Sequence, residues 1–269
     1  MSHTPDAKER EARLVRETVY GSRKRLAWVL RHVTPEDSIL EVGCGTGYML
    51  CRPLAMLGYR VRGIDLDAKS IEHGQELLRG EGLDPGILAC QPLAASPVRP
   101  SVVIASEVLE HLHDAELAAL LGEIRSRLEP HGRLLVTVPN GYGWFEIEQF
   151  LWWNLGVGRL LFRSGFCHLV EKTKTRRLGP EAIEAGPPST LSGSPHVQRF
   201  TLASISRRLR DAGFAIEAAR GSVAVSGPFS NLFFAGLEPL LEANGRWGDR
   251  LGRLAAGYFV ACRAGSARI

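Results

Sequence analysis

The 269-residue sequence is poor in several features that would place it at once. No apolar run reaches the roughly 18 residues a membrane-crossing helix needs. The opening MSHTPDAKEREARLVRE is too charged for a secretory leader and lacks an apolar core. Five cysteines (Cys44, Cys51, Cys90, Cys167, Cys262) form no CxxC pair, which excludes a zinc ribbon. Their odd number and scatter speak against a disulfide framework, so a reducing, cytoplasmic setting is expected. There is no GxxxxGK[ST] phosphate loop, no internal repeat and no basic stripe of the kind that grips nucleic acid.

The composition itself is ordinarily globular, 45% hydrophobic and 23% charged, which argues against disorder. The net charge of +4 is unevenly spread. Residues 1–140 hold 17 Lys/Arg against 19 Asp/Glu, and residues 141–269 hold 16 against 10. An anionic partner would therefore meet the C-terminal half. The length suits one large domain, or one domain with an elaborated insert.

Apolar positions at Leu14, Val15, Val19, Leu26, Val29 and Leu30 predict an amphipathic helix over 8–33. Buried strands and helices then alternate. A strand at Ile39–Val42 precedes a helix over 46–57. The strand Tyr59–Asp67 follows, then a helix over Ile71–Leu78 and a strand near Ile87–Cys90. The run Ser101–Ser106, a helix over Leu117–Leu128 and the strand Arg133–Val138 complete the series. This is the pattern of an α/β fold with a parallel sheet covered on both faces. After Pro139 the pattern breaks into an aromatic, mainly helical insert and a polar loop containing Pro187 and Pro188. It resumes with a helix capped by Thr201 and Gly213. Strands at Ala215–Ala219 and Tyr258–Arg263 flank a helical elaboration and bring the count to seven. The expected organisation is a lead-in over 1–36 and one domain over 37–269, with a capping insert at about 141–198 and the elaboration at about 228–256.

The segment Glu41-Val-Gly43-Cys-Gly45-Thr-Gly47 lies between a strand and a helix, where glycines let the backbone turn sharply and a ligand lie against it. Asp65 ends the next strand, 22 residues after Gly43, where doubly wound folds place an acid on ribose hydroxyls. A dinucleotide fingerprint would need its third glycine at 48, which is Tyr48. Glu41 would repel a pyrophosphate and suits a cationic ligand. The loop thus favours S-adenosyl-L-methionine, which carries an amino acid, a sulfonium and a ribose but no phosphate. Leu66 beside Asp65, and Ser106 at the end of the fourth strand, join the candidate cofactor contacts.

The ordered segments ILEVGCGTGYML, RVRGIDLD, VVIASEVLEHL and LEPHGRLLVTVPN, with HVQRFTLASISRRLRDAGF further on, resemble the class I S-adenosylmethionine-dependent methyltransferases. The likeness is to their type 11 and ubiquinone-pathway O-methyltransferase branch. The resemblance implies a Rossmann-like sheet ordered 3-2-1-4-5-7-6 with strand 7 antiparallel. It also implies that Gly43, Gly45 and Gly47 line the methionyl part and that Asp65 holds the ribose. Relatives usually carry an acid after strand three for the adenine. Here ACQPLAASPVRPS has none, leaving Gln91 or a backbone carbonyl for that contact.

Glu107, Glu110 and His111 fall at i, i+3 and i+4, so one helical face is expected to present all three. Two carboxylates and an imidazole suit a divalent ion, which would lower the pKa of an acceptor hydroxyl. The segment also resembles the metal-binding ExxEH of small-RNA 2′-O-methyltransferases and some ubiquinone-pathway enzymes. In the RNA enzymes a further histidine follows the Pro-Asn segment, and His196 is the matching position. Two other readings stand beside the metal: His111, with Glu107, as a metal-free base or substrate contact, and a purely structural role near a helix start. His113 falls on another face and reads as solvated.

The insert holds Trp144, Phe145, Ile147, Phe150, Leu151, Trp152, Trp153, Leu155, Leu160, Leu161 and Phe162, too many apolar groups for a solvated loop. It reads as a lid over the acceptor, an interfacial helix delivering a lipid-like acceptor, or an ordinary packed cap, and burial of the aromatics is expected. The run KTKTRR (Lys172–Arg177) reads as solvated surface or as a contact for an anionic acceptor or membrane. The resulting expectation is methyl transfer to oxygen on a small or lipid-like molecule. A non-catalytic cofactor-binding regulator and a nucleic-acid methyltransferase stand as alternatives.

Overall fold

A computed structural model describes residues 6–178 and 196–265. Its centre is a seven-stranded sheet: β1 (Ser38–Val42), β2 (Arg60–Asp65), β3 (Leu88–Cys90), β4 (Val102–Ser106), β5 (Arg133–Pro139), β6 (Phe214–Gly221) and β7 (Gly257–Ala264). The order is β3-β2-β1-β4-β5-β7-β6. β1 to β5 pair in parallel, and β7 runs antiparallel to both β5 and β6. The seven-stranded Rossmann-like order that the sequence resemblance implied is therefore present.

Strand alternation splits the core in two. Ile39, Val102 and Leu135 face one side, packed with Trp28, Leu54, Ile71 and Phe259. Their chain neighbours Leu40, Val103 and Leu134 face the other, packed with Leu121, Ile124, Ile205 and Leu209. Apolar residues in succession along β1, β4 and β5 thus serve two layers of helices. The first core takes residues from α2 (Ser22–Leu30), α3 (Cys51–Met56) and α4 (Ala68–Gly80). The second takes them from α5 (Asp114–Arg127) and α9 (Leu202–Asp211). Thr201 caps α9 by accepting from Ser204 N, and Gly213 follows with φ +85°.

The lead-in is not the single helix expected over 8–33. It forms α1 (Ala7–Glu11), a 3-10 turn (Ala12–Leu14) and, after an irregular stretch, α2. The break is stabilised by Glu17, whose buried carboxylate accepts N–H groups from Thr18, Arg23 and Lys24, two of them in the first turn of α2. Burial pushes this carboxyl up to about 7. The helix expected over 46–57 is also shorter, because the chain turns repeatedly before α3 begins at Cys51.

The insert is helical where described: α6 (Trp144–Gln149), a π-turn (Phe150–Asn154), α7 (Val157–Arg163) and α8 (Phe166–Leu178). The polar loop with Pro187 and Pro188 lies outside the described residues. The chain leaves the sheet at Gly141 and returns at Phe200, whose carbonyl accepts from Gly141 N at 2.8 Å. Glu148 anchors the insert to α10 (Pro228–Phe234), accepting from Ser230 N at 2.8 Å and from its hydroxyl, and from Trp144 Nε1 at 2.5 Å. α11 (Glu238–Leu251) completes the elaboration. The expected burial of the aromatics is not found. Trp152 is buried, but Trp144, Ile147, Phe150, Trp153, Leu155, Leu160 and Phe162 are exposed. Trp152 uses the space left by Gly158 and the edge of Phe229, and among the described residues the short helices offer no second layer to cover the rest.

Candidate active site

Gly43, Gly45 and Gly47 have φ of +71°, +56° and +67°, the left-handed region in which a side chain is strained. Space differs among them. A Cβ on Gly43 would overlap Val108, whereas one on Gly45 would meet nothing within 4 Å among the described residues. The loop therefore presses on the turn after β4 at one point and stays open at another. Asp65 closes β2 and is held by two backbone donors, Gly45 N to Oδ2 at 2.7 Å and Asp67 N to Oδ1 at 2.9 Å. Each oxygen keeps a lone pair for a further donor, as two ribose hydroxyls require. Leu66 is exposed beside it. Gln91 follows β3 and donates its backbone N–H to Asp65 O at 3.0 Å, which places it at the same edge.

Glu41 lies buried beneath the loop and accepts from Cys51 Sγ at 2.9 Å. Burial raises its carboxyl to about 7. A cationic ligand would draw it back toward the charged form.

The EVLEH segment departs from the expected helical face. Glu107 has φ +54°, residues Leu109–His111 form a 3-10 turn, and α5 starts only at Asp114, after His113. His113 is exposed, its backbone N–H held by Glu116. Glu107 turns toward β5 and the lead-in, where Thr137 Oγ1 donates to it at 2.7 Å and Arg25 Nη2 lies at 3.2 Å. Ser106 belongs to the same network: it is buried, with Thr137 Oγ1 at 2.9 Å and Arg25 Nη1 at 3.3 Å.

Glu110 goes the other way. It is 1% exposed, its Oε2 is buried with no partner among the described residues, and burial together with the Glu107 charge pushes its carboxyl well above the usual range. Its backbone carbonyl accepts from Val197 N (2.8 Å) and Gln198 N (2.9 Å), which draws the returning chain alongside. His196 thereby meets His111, ring centroids 5.2 Å apart. His111 Nε2 lies 3.9 Å from Glu110 Oε1, and His196 Nδ1 lies 3.4 Å from Glu146 Oε1. One ligand atom from each of Glu110, His111 and His196 falls within 4.8 Å of the others. Glu107 is outside that cluster, so the four residues do not converge as a single set.

Sequence reasoning missed Arg25, Thr137 and Glu146. Arg25 sits in an ordinary amphipathic helix pattern, yet it is mostly buried and its Nε–H has no partner among the described residues. Glu146 carried a signal: an acid within an aromatic stretch. Phe145 packs 5.8 Å from the His196 ring and 6.5 Å from Tyr20.

Residues 21–219 match the family model of a methyltransferase domain. The chain belongs to that family. Its sheet order and glycine edge are those of the class I S-adenosylmethionine-dependent methyltransferases. Among curated relatives of this methyltransferase, the ribosomal protein L11 methyltransferase of Thermus thermophilus is 30% identical over 116 residues, 43% of this chain and 44% of that protein. The ubiquinone biosynthesis O-methyltransferase of Chelativorans sp. is 33% identical over 104 residues, 38% and 40% of the two chains. The matches thus span less than half the length of these relatives. Among solved structures, the magnesium protoporphyrin IX methyltransferase of Synechocystis PCC 6803 with bound S-adenosylhomocysteine aligns at a TM-score of 0.52 and 16% identity, over 98% of this chain and 90% of that one. A methyltransferase of Methanosarcina mazei gives 0.53 and 16%, over 88% and 97%. At such identity these two speak for the fold.

Proposed function

We propose that this methyltransferase moves a methyl group directly from S-adenosylmethionine to an oxygen of a small, lipid-like acceptor, in a reducing compartment that suits its five free thiols. The observation that carries the reading is the His111–His196 pair, part-exposed at the cleft, next to the turn that touches the glycine loop. An oxygen nucleophile must lose a proton as it attacks. A histidine whose Nδ1–H is taken by a carboxylate presents Nε2 as the base. Glu146 stands where it would play that part for His196. Glu107 holds Arg25 and Thr137, and acts on the site through them.

The cofactor supplies an electrophilic methyl on a sulfonium. Gly45 offers it an uncovered backbone, Asp65 two free lone pairs, Glu41 a carboxylate for its cationic end and Arg25 an unpartnered Nε–H for its carboxylate. Phe145 and Tyr20 offer the acceptor an apolar wall. Correct alignment and exclusion of water then carry much of the rate.

A second reading keeps the same residues but adds a divalent ion. Glu110, His111 and His196 fit one, and the unpartnered Glu110 Oε2 favours it. Such an ion would supply Lewis acidity toward the acceptor oxygen. Transfer of labelled methyl to phenols and carboxylic acids bearing alkyl chains tests the proposal, with and without chelator. Product that forms in chelator supports histidine as base, and loss restored by metal supports the ion. Tight S-adenosylhomocysteine binding without product from any oxygen acceptor overturns the function and leaves a regulatory binding module.

A further inference from the structure

Eleven large apolar side chains are exposed between residues 142 and 178, among them Trp153 (69% exposed), Leu160 (66%), Phe162 (61%) and Leu169 (61%). They are not isolated from one another. Phe162 abuts Trp152 at 6.1 Å, Trp152 abuts Phe229 at 4.7 Å, and Phe166 of α8 faces Phe233 of α10 at 6.4 Å. Water-exposed apolar surface of this extent on a folded chain marks a contact. The charges beside it indicate with what. α7 and α8 together carry Arg159, Arg163, Lys172, Lys174, Arg176 and Arg177 against a single acid, Glu171. No ion pair among the described residues engages Arg159, Arg163, Lys172, Arg176 or Arg177. Along α8, Phe166 and Leu169 are followed at helical spacing by Lys172 and Arg176, so the apolar and basic parts run on one flank. Exposed tryptophan, aliphatic bulk and flanking cations are the chemistry of a helix lying in a lipid headgroup layer.

We propose that the α6–α8 insert docks this methyltransferase on the surface of an anionic lipid bilayer. The insert is also what brings Glu146 to His196, so docking sets the acceptor side of the cleft at the membrane. The acceptor is then an amphiphile taken from the headgroup layer. That last step rests on the proposed function above. The docking itself does not.

Flotation of the full chain with phosphatidylcholine vesicles, with or without phosphatidylglycerol, is the test. Binding to the mixed vesicles and at least tenfold less to the neutral ones is expected, together with a blue shift of tryptophan emission from Trp153. Leu160→Ser/Phe162→Ser/Leu169→Ser should abolish flotation, and Lys172→Gln/Arg176→Gln should weaken it about tenfold or more. All variants should keep wild-type affinity for S-adenosylhomocysteine, which shows that they fold. Absence of flotation, or flotation unchanged by these substitutions, overturns the proposal. So does a concentration-dependent dimer that the triple substitution dissociates, which would assign the surface to a second copy. Vesicle binding without methyl transfer to any lipid-like acceptor supports docking and removes the lipid-like acceptor alone. Transfer to such an acceptor without vesicle binding does the reverse.

Discussion

On the β1–β2–β3 side of the cleft, each polar group comes from a strand end or the turn that follows it: Gly43–Gly47 after β1, Asp65 at the end of β2, Gln91 after β3. On the β4–β5 side, the groups come from separated stretches: Ser106 at the end of β4 and Glu107 to His111 after it, Glu146 in the insert and His196 on the chain's return, while Arg25 of the lead-in reaches Ser106 and Glu107 between the two sides. Parallel pairing delivers the first set automatically, since strands in register end at the same edge. Glu146 and His196 join the second set only because a segment of more than fifty residues leaves at Gly141 and closes again on Phe200. The β1–β3 side is thus a property of the sheet, and the meeting of Glu146, His196 and His111 on the other a property of long-range closure.

The strongest way to break that division is His196→Ala. It should lower turnover by about 10²–10⁴ while S-adenosylhomocysteine affinity, read by calorimetry, stays at the wild-type value. A parallel loss of affinity would mean the two sides are one unit. Next is the pH response of Glu41. Its folded pKa of about 7 lies above the ordinary 4.5, so the stability it contributes is full below pH 4.5 and lost as pH rises through 7. The swing is about 3 kcal/mol, and Glu41→Gln should lessen the pH slope in urea titrations between pH 5 and pH 8, leaving the share of Glu17, also raised to about 7. An unchanged pH slope would refute the assignment. Asp65→Ala should weaken S-adenosylhomocysteine by about 10- to 100-fold, since charge-assisted bonds worth about 1.5–3 kcal/mol are lost. Normal binding would remove Asp65 from the cofactor side. Smallest is Glu148→Gln, which keeps shape but loses the charge that holds the Ser230 N–H and hydroxyl. About 1 kcal/mol of stability should go, with earlier hydrogen exchange in α6 and α10 and none in β1–β3.

The same division decides what could be read from residues alone. Apolar strands and glycine punctuation are local signals, and they led to all seven strands and to Gly43, Gly45, Gly47 and Asp65. Where local pattern met tertiary demand, the pattern misled. The i, i+3, i+4 spacing of Glu107, Glu110 and His111 assumes a helix, but a left-handed Glu107 and a 3-10 turn send its carboxylate to Arg25 while Glu110 goes to the histidines. The lead-in periodicity spans a break that the distant Gly21–Val223 contact and buried Glu17 impose. Apolar content in the insert was visible, but whether protein, solvent or lipid meets it depends on layers that composition does not encode. His196 was found by resemblance to a spaced motif. Arg25 and Glu146, with no such motif, were not.

The contact between Gly43 and Val108 has a thermodynamic consequence. Because position 43 carries no side chain, Val108 of the turn after β4 fills its place, and the glycine loop and that turn are in direct contact. A ligand that stiffens the glycine loop also fixes where that valine rests, and whatever settles the turn acts back on the loop by the same free energy. Occupancy of one side of the cleft is thereby felt on the other, and the coupling reads equally in both directions.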